Sequence, residues 1–235
     1  MNVLDYSINA FMTTKAAVRL LVMDEISIDG YWPPNQAESL LKELEKTSIA
    51  EFLHIIDFIE PQSKIDSSKL PQFGSLETLI KVPEVLITTG IDGLSYTQLG
   101  FYLKGDINAK QSANAKYGET HGKGACQLGF VSCQTSKIHF GSLTNAFLSI
   151  TDEDEKMKLA KFLCFRISVI QTLLHKAKSG KVNGYLPMSH LEKSTQMRRA
   201  VCVKMILREL STLQDTELSK RIDNIYWDID EGDLN

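Results

Sequence analysis

Leu94-Ser95-Tyr96-Thr97-Gln98-Leu99 carries two helix-start signals at once. Ser95 and Gln98 have the spacing of a capping box, in which each side chain satisfies the other residue's backbone N–H. Leu94 and Leu99 are spaced to form the hydrophobic staple that fixes the entry angle. The pattern predicts a helix to about Leu103, stopped by Gly105, and a second from about Asn108 to Tyr117 with Gly118 as a left-handed stop. Thr120 is then placed to cap a short third helix through Leu128, which Gly129 ends. Phe130 to Cys133 and Lys137 to Phe140 flank Gln134-Thr135-Ser136, a three-residue hairpin connection. Helices in this succession, followed by a hairpin, are what a helix-turn-helix with a wing requires.

The rest of the chain is organised around this stretch. Val18 to Val22 is a β-prone run, followed by a turn at Asp29-Gly30. Asn35 can cap a helix through Lys46. Ser48 and Glu51 form a second capping box that opens an apolar helix through Ile59, stopped at Pro61. Pro61 to Pro71 is a polar connection, and a short helix follows near Ser75 to Ile80. Beyond the hairpin, Leu143-Thr144 begins a helix, and the acidic run Asp152 to Glu155 caps another. Met157 to Lys178 reads as one amphipathic helix. Ser179 to Pro187 is a further connection. Ser194 or Thr195 caps Gln196 to Leu213, and the acidic end from Asp215 is weakly helical. The expected fold is mostly α with small β-hairpin wings: tandem winged helix-turn-helix units plus an N-terminal α/β segment. The expected division is 1–70, 71–180 and 181–235.

Charge is unevenly laid out in this chain of 235 residues with a formal net charge of −3. Lys156 to Arg208 holds 12 Lys/Arg against the single Glu192, whereas the segments on either side are acidic. So basic a block points to a polyanion or to an acidic protein surface; neutralisation within the fold or within a homodimer is the alternative. In a helix-turn-helix, one short helix lies in the major groove while the helix before it braces against the backbone. The donors so placed are Thr120, His121 and Lys123, then Asn114 and Lys116, with Lys104 and Lys110 on the braces. Gly122, Gly124 and Ala125 are small where a duplex would approach. Lysines neutralise phosphates, while Asn114 or Gln127 has the amide needed to read adenine. A second anion-binding candidate is Ser194-Thr195-Gln196-Met197-Arg198-Arg199, a polar helix start with two arginines and Lys204 further along, behind which Val201, Met205 and Leu207 would pack inward.

These same residues carry a resemblance. Leu128-Gly129-Phe130-Val131, then a hairpin, then Leu143-Thr144, and later Ser194-Thr195 with Arg198-Arg199, resemble the winged-helix DNA-recognition modules of bacterial restriction enzymes and related phage-defence proteins. The likeness spans roughly residues 84–210, and Asn145-Ala146-Phe147 stands where those modules usually carry a glycine. It implies that the chain recognises or positions double-stranded DNA for a partner such as a nuclease. The other class of function is an interaction subunit that uses the same fold for protein contacts.

No catalytic, metal or cofactor site is expected. Asp154-Glu155-Lys156 has the form of half a nuclease site, but it sits in a charged helix start that the helix dipole favours. No phosphate-binding glycine loop, zinc-protease motif or serine-nucleophile motif occurs. His54 with Asp57, and His121 with His139, lack the further ligands or bases that chemistry would need. Cys126, Cys133, Cys164 and Cys202 fit no metal-ligand spacing and read as reduced thiols. No apolar run reaches the roughly 18 residues of a membrane span, and the start has no leader-like pattern, so the expected location is the cytoplasm.

Overall fold

A computed structural model describes residues 14–23, 34–106, 110–141 and 143–228. The protein is mostly helical and forms two compact units. Of the described residues, the first takes in those up to Thr47 together with those of Ser75–Leu163; the second takes Ser48–Gly74 and those from Cys164 on. Each unit is thus assembled from two stretches of chain. The polar connection at 61–71 lies inside the second unit.

The first unit opens with α1 (Thr14–Val22) and α2 (Pro34–Lys46). Val18 to Val22, expected as β-prone, is helical, and residues 14–70 show no strand among those described. Packing overrides propensity there: Ala17, Val18, Leu21 and Val22 share one buried face of α1, which lies against α2. The predicted turn at Asp29-Gly30 lies outside the described residues. Next come α4 (Leu76–Ile80), capped by Ser75, and α5 (Val82–Thr89). β1 (Leu94–Ser95) leads into α6 (Tyr96–Lys104), which has the expected capping box and ends at Gly105.

Residues 111–128 form one continuous helix, α7 (Gln111–Leu128), where a break was predicted at Gly118. Gly118 is a crossing point: a Cβ there would collide with the backbone carbonyl of Tyr96, and one on Gly100 would collide with that of Asn114. The two glycines let the backbones of α6 and α7 touch, which is a close-approach use of glycine rather than a left-handed one. Gly129, at φ 83°, is the true left-handed stop.

β2 (Val131–Gln134) and β3 (Lys137–Phe140) form the hairpin, with Val131 opposite Phe140 and Gln134 opposite Lys137. Its connection is two residues, Thr135 and Ser136, both at positive φ (48° and 61°), rather than three. β1 pairs antiparallel with β3, Leu94 opposite Ile138, so the three strands lie in the order β1-β3-β2. Thr144 opens α8 (Thr144–Leu148); its buried hydroxyl donates to Phe130 O and accepts from Gly141 N, each at 2.7 Å. Phe130 and Phe147 meet at 4.3 Å between ring centroids, tying the hairpin base to α8. Asp152 caps α9 (Glu153–Leu163) by accepting from Asp154 N at 2.8 Å.

In the second unit, α3 (Ile49–Asp57) has the capping box predicted for Ser48 and Glu51. The long helix expected from Met157 to Lys178 is divided. It stops at Leu163, passes through a 3-10 turn at Cys164–Arg166, and resumes as α10 (Ser168–Ala177). Phe165 in that turn stacks on Phe52 of α3 at 4.9 Å. β4 (Val182–Asn183) is followed by α11 (Lys193–Ser211), α12 (Thr216–Asp223) and β5 (Ile225–Tyr226). β5 returns parallel to β4, as the helical crossover between them requires. Among the described residues this unit has one two-stranded parallel sheet and no antiparallel hairpin.

Candidate nucleic-acid interface

Because α7 is continuous, its side chains sort into two faces. Asn114, Gly118, His121, Gly122, Ala125 and Leu128 are buried. Ser112, Lys116, Thr120, Lys123 and Gln127, spaced three or four apart, form an exposed to half-exposed polar stripe with Glu119. Lys116, Thr120 and Lys123 therefore share one face of a single helix, and Thr120 stands in mid-helix rather than at the cap expected for it. Glu119 accepts from Lys123 at 2.7 Å and from Lys116 at 3.1 Å. Those two hydrogen bonds hold its carboxyl below the usual range, so it is ionised and partly neutralises both lysines.

Asn114 and His121 are corrections to the expected donor set. Both are nine-tenths buried, because they fall on the face turned to the crossing with α6 and to the sheet. Asn114 Oδ1 has no hydrogen-bond partner, and neither side chain is on the surface a duplex would meet. His121 Nδ1 lies 2.9 Å from Tyr117 O. Burial pushes the imidazole below its ordinary pKa against the pull of that carbonyl, so it is neutral near pH 7. His121 and His139 do not form a pair; His139 instead sits 3.3 Å from Asp92.

Lys104, at the end of α6, places its ammonium 4.9 Å from the centre of the Tyr117 ring, and Lys110 stands exposed at the N-cap of α7. Lys137, beside the hairpin turn, is also exposed. Sequence reasoning passed over Lys137 and Ser112. The spacing of 112, 116, 120, 123 and 127 was a usable signal, hidden by the break assumed at Gly118.

In the second unit α11 starts at Lys193, so Ser194 and Thr195 lie in its first turn rather than at its cap, and Glu192 makes no capping bond. Arg198, Lys204 and Arg208 are exposed along one side, with Met197 and Val201 between them. Val201, expected to pack inward, is 65% exposed, while Met205 and Leu207 are buried. Arg199 is buried among apolar residues of α11, and its Nε has no hydrogen-bond partner. Burial lowers its pKa, and the neighbouring Arg198 adds to the effect. Lys204 stands 4.8 Å over the Trp227 ring.

Of the residues weighed for catalysis, Lys156, Asp57 and His54 are engaged structurally. Lys156 is buried between Glu153 at 2.7 Å and Glu84 at 2.8 Å. Asp57 is held by Arg221 and Lys178, and His54 packs edge-on against Phe58. Among the described residues, no group of three or more His, Cys, Asp or Glu is placed to hold a metal ion, the four cysteines form no disulfide, and no helix is long and apolar enough to cross a membrane. Comparison with protein-family models, curated proteins and solved structures gives no match to this chain.

Proposed function

We propose that residues 76–140 form a winged helix that binds double-stranded DNA, with α7 entering the major groove and the β2–β3 hairpin as the wing. The observation that carries this reading is the polar stripe on α7, flanked by the exposed Lys110 and by Lys137 of the hairpin. Strand order β1-β3-β2 supports it, since β1 precedes the two helices and pairs with the far strand of the hairpin that follows them. Lysines positioned this way contact phosphates, while Thr120 and Gln127 have the groups that reach base edges. Arg198, Lys204 and Arg208 of α11 are a second set of phosphate contacts. A recognition or regulatory role beside a nuclease in a restriction or phage-defence system rests on the resemblance at residues 84–210 alone. Identifying the neighbouring genes tests it.

The decisive experiment is fluorescence anisotropy with a labelled duplex of about 30 base pairs at several salt concentrations. Affinity should fall steeply with salt, with a slope set by the number of phosphates neutralised. Lys116→Glu with Lys123→Glu should abolish binding. Glu119→Gln, which releases both lysines, should tighten it severalfold. Salt-independent affinity, or a Glu119→Gln protein that binds more weakly, would refute the reading.

One observation favours a protein partner instead. Ile87, Ile91, Phe101 and Tyr102 are large apolar residues left exposed on α5, α6 and the segment between them. If the protein shifts no duplex at low salt yet co-purifies with a second subunit, this surface replaces the lysine stripe as the functional one.

A further inference from the structure

The second unit contains a cleft of about 620 Å³ that the sequence did not announce. Its size falls in the range of roughly 300–1,000 Å³ that small-molecule sites occupy. Residues at the carboxyl ends of both parallel strands line it, Asn183 on and Tyr185 after β4, and Tyr226 on and Asp228 after β5. The start of α11 supplies Lys193, and Lys181 stands just before β4.

The frame of the cleft is braced. Asn183 Nδ2 donates to Asp228 O at 2.7 Å, and Asn183 Oδ1 accepts from Tyr185 N at 3.1 Å. Tyr185 meets Trp227 edge-on at 5.4 Å. Gln196 Nε2 donates to Leu191 O at 2.7 Å, which fixes the loop before α11. The groups left facing solvent are of three kinds. Lys181 and Lys193 are exposed and have no carboxylate partner among the described residues. Tyr226 and Leu186, each 43% exposed, present apolar flats. Asp228 adds a single carboxylate on the rim.

Two free ammonium groups suit phosphate, an aromatic and an aliphatic flat suit the faces of a heterocyclic base, and a carboxylate accepts from ribose hydroxyls or an exocyclic amine. Inorganic phosphate would leave the flats unused, and an apolar ligand would leave two lysines to be desolvated unpaired. From this combination we infer that the cleft binds a nucleotide, either free or as one unit of a single strand. The inference does not depend on the winged-helix reading, whose residues lie in the other unit.

Calorimetric titration of the full chain tests it, using AMP, GMP, CMP, UMP and dTMP, inorganic phosphate, and the oligomer (dT)8. At least one nucleotide should bind with a sub-millimolar Kd, and inorganic phosphate about tenfold more weakly. Lys181→Gln with Lys193→Gln should weaken the nucleotide about tenfold, as expected for loss of two charge-assisted contacts. Tyr226→Ser should weaken it about fivefold and leave phosphate unchanged. Should Tyr226→Ser fail to fold, the lysine double variant, whose replaced side chains are solvent-exposed, decides alone. A (dT)8 affinity well above that of dTMP identifies the strand as the source; equal affinities identify the free nucleotide. The proposal is overturned if no nucleotide or oligomer binds at millimolar concentration to natively folded protein. It is equally overturned if phosphate matches the best nucleotide, or if the double variant binds unchanged.

Discussion

Arg221 donates from Nη1 to Oδ1 of Asp57 at 2.7 Å and from Nη2 to Oδ2 at 3.2 Å, joining residues 164 apart in sequence. Lys178 adds a 2.7 Å bond to the same carboxylate, and Glu217 accepts from Arg221 Nε at 2.9 Å. Burial alone would raise the Asp57 pKa, but the bonds from Arg221 and Lys178 outweigh it and hold the carboxyl below its ordinary value.

Asp57→Asn should therefore destabilise the second unit by about 3 kcal/mol, because it leaves the buried guanidinium without its main counter-charge. Urea unfolding followed by Trp227 fluorescence, in a Trp32→Phe background, measures this. A loss under about 1 kcal/mol would mean that Glu217 suffices as partner. The sign with pH follows from the lowered pKa. The contribution is present above the ordinary carboxyl value near pH 4 and is lost as pH falls through the lower folded value. The variant should show a flatter acid limb.

Gly118→Ala should cost about 2 kcal/mol even though alanine is the better helix former, because the added methyl forces the α6 and α7 backbones apart. Gly74→Ala, which meets nothing within 4 Å, is the control and should change stability by less than about 0.5 kcal/mol. Thermal melts of both variants separate the two uses of glycine: a stabilised Gly118→Ala protein would show that the helix crossing is looser than described.

Thr135 and Ser136 hold left-handed φ values that asparagine and glycine adopt more readily, and a two-residue turn of this kind favours Asn-Gly. Thr135→Asn with Ser136→Gly should stabilise the hairpin by about 1 kcal/mol. Slower amide exchange at Ser132 and His139 would report it. Unchanged exchange would mean that the turn does not limit opening of the hairpin.

His121 is buried neutral, so the native state resists its protonation while the unfolded state does not. The depressed folded value makes stability full above the unfolded pKa of about 6.5 and erodes it as pH falls towards the folded pKa. Melting temperatures between pH 7.5 and 5 should fall more steeply for the parent than for His121→Gln. Parallel curves would remove His121 as a source of acid sensitivity.

Signals contained within a few residues were legible in the sequence: the capping boxes at Ser48 and Ser95, and the stops at Gly105 and Gly129. Each is satisfied by its own neighbours. Gly118 was misread because a left-handed stop and a close crossing both select glycine, and only Tyr96, from another helix, tells them apart. The interruption at Cys164–Arg166 carries no glycine or proline. Asn114, His121 and Arg199 lie on inward helix faces although their side chains are polar, so residue type alone placed them in water. The cleft was invisible for a related reason: Lys181, Lys193 and Tyr226 become neighbours only when β5 returns beside β4.

The second unit's two-stretch construction bears on how the chain leaves the ribosome. Ile56 is made 119 residues before His175, whose ring reaches its carbonyl. At roughly 5–20 residues per second, α3 waits on the order of ten seconds for that partner, with Phe52, Leu53, Ile55 and Ile56 uncovered by it. The intervening stretch can begin to fold meanwhile, and α3 is the segment that a ribosome-associated chaperone would shield.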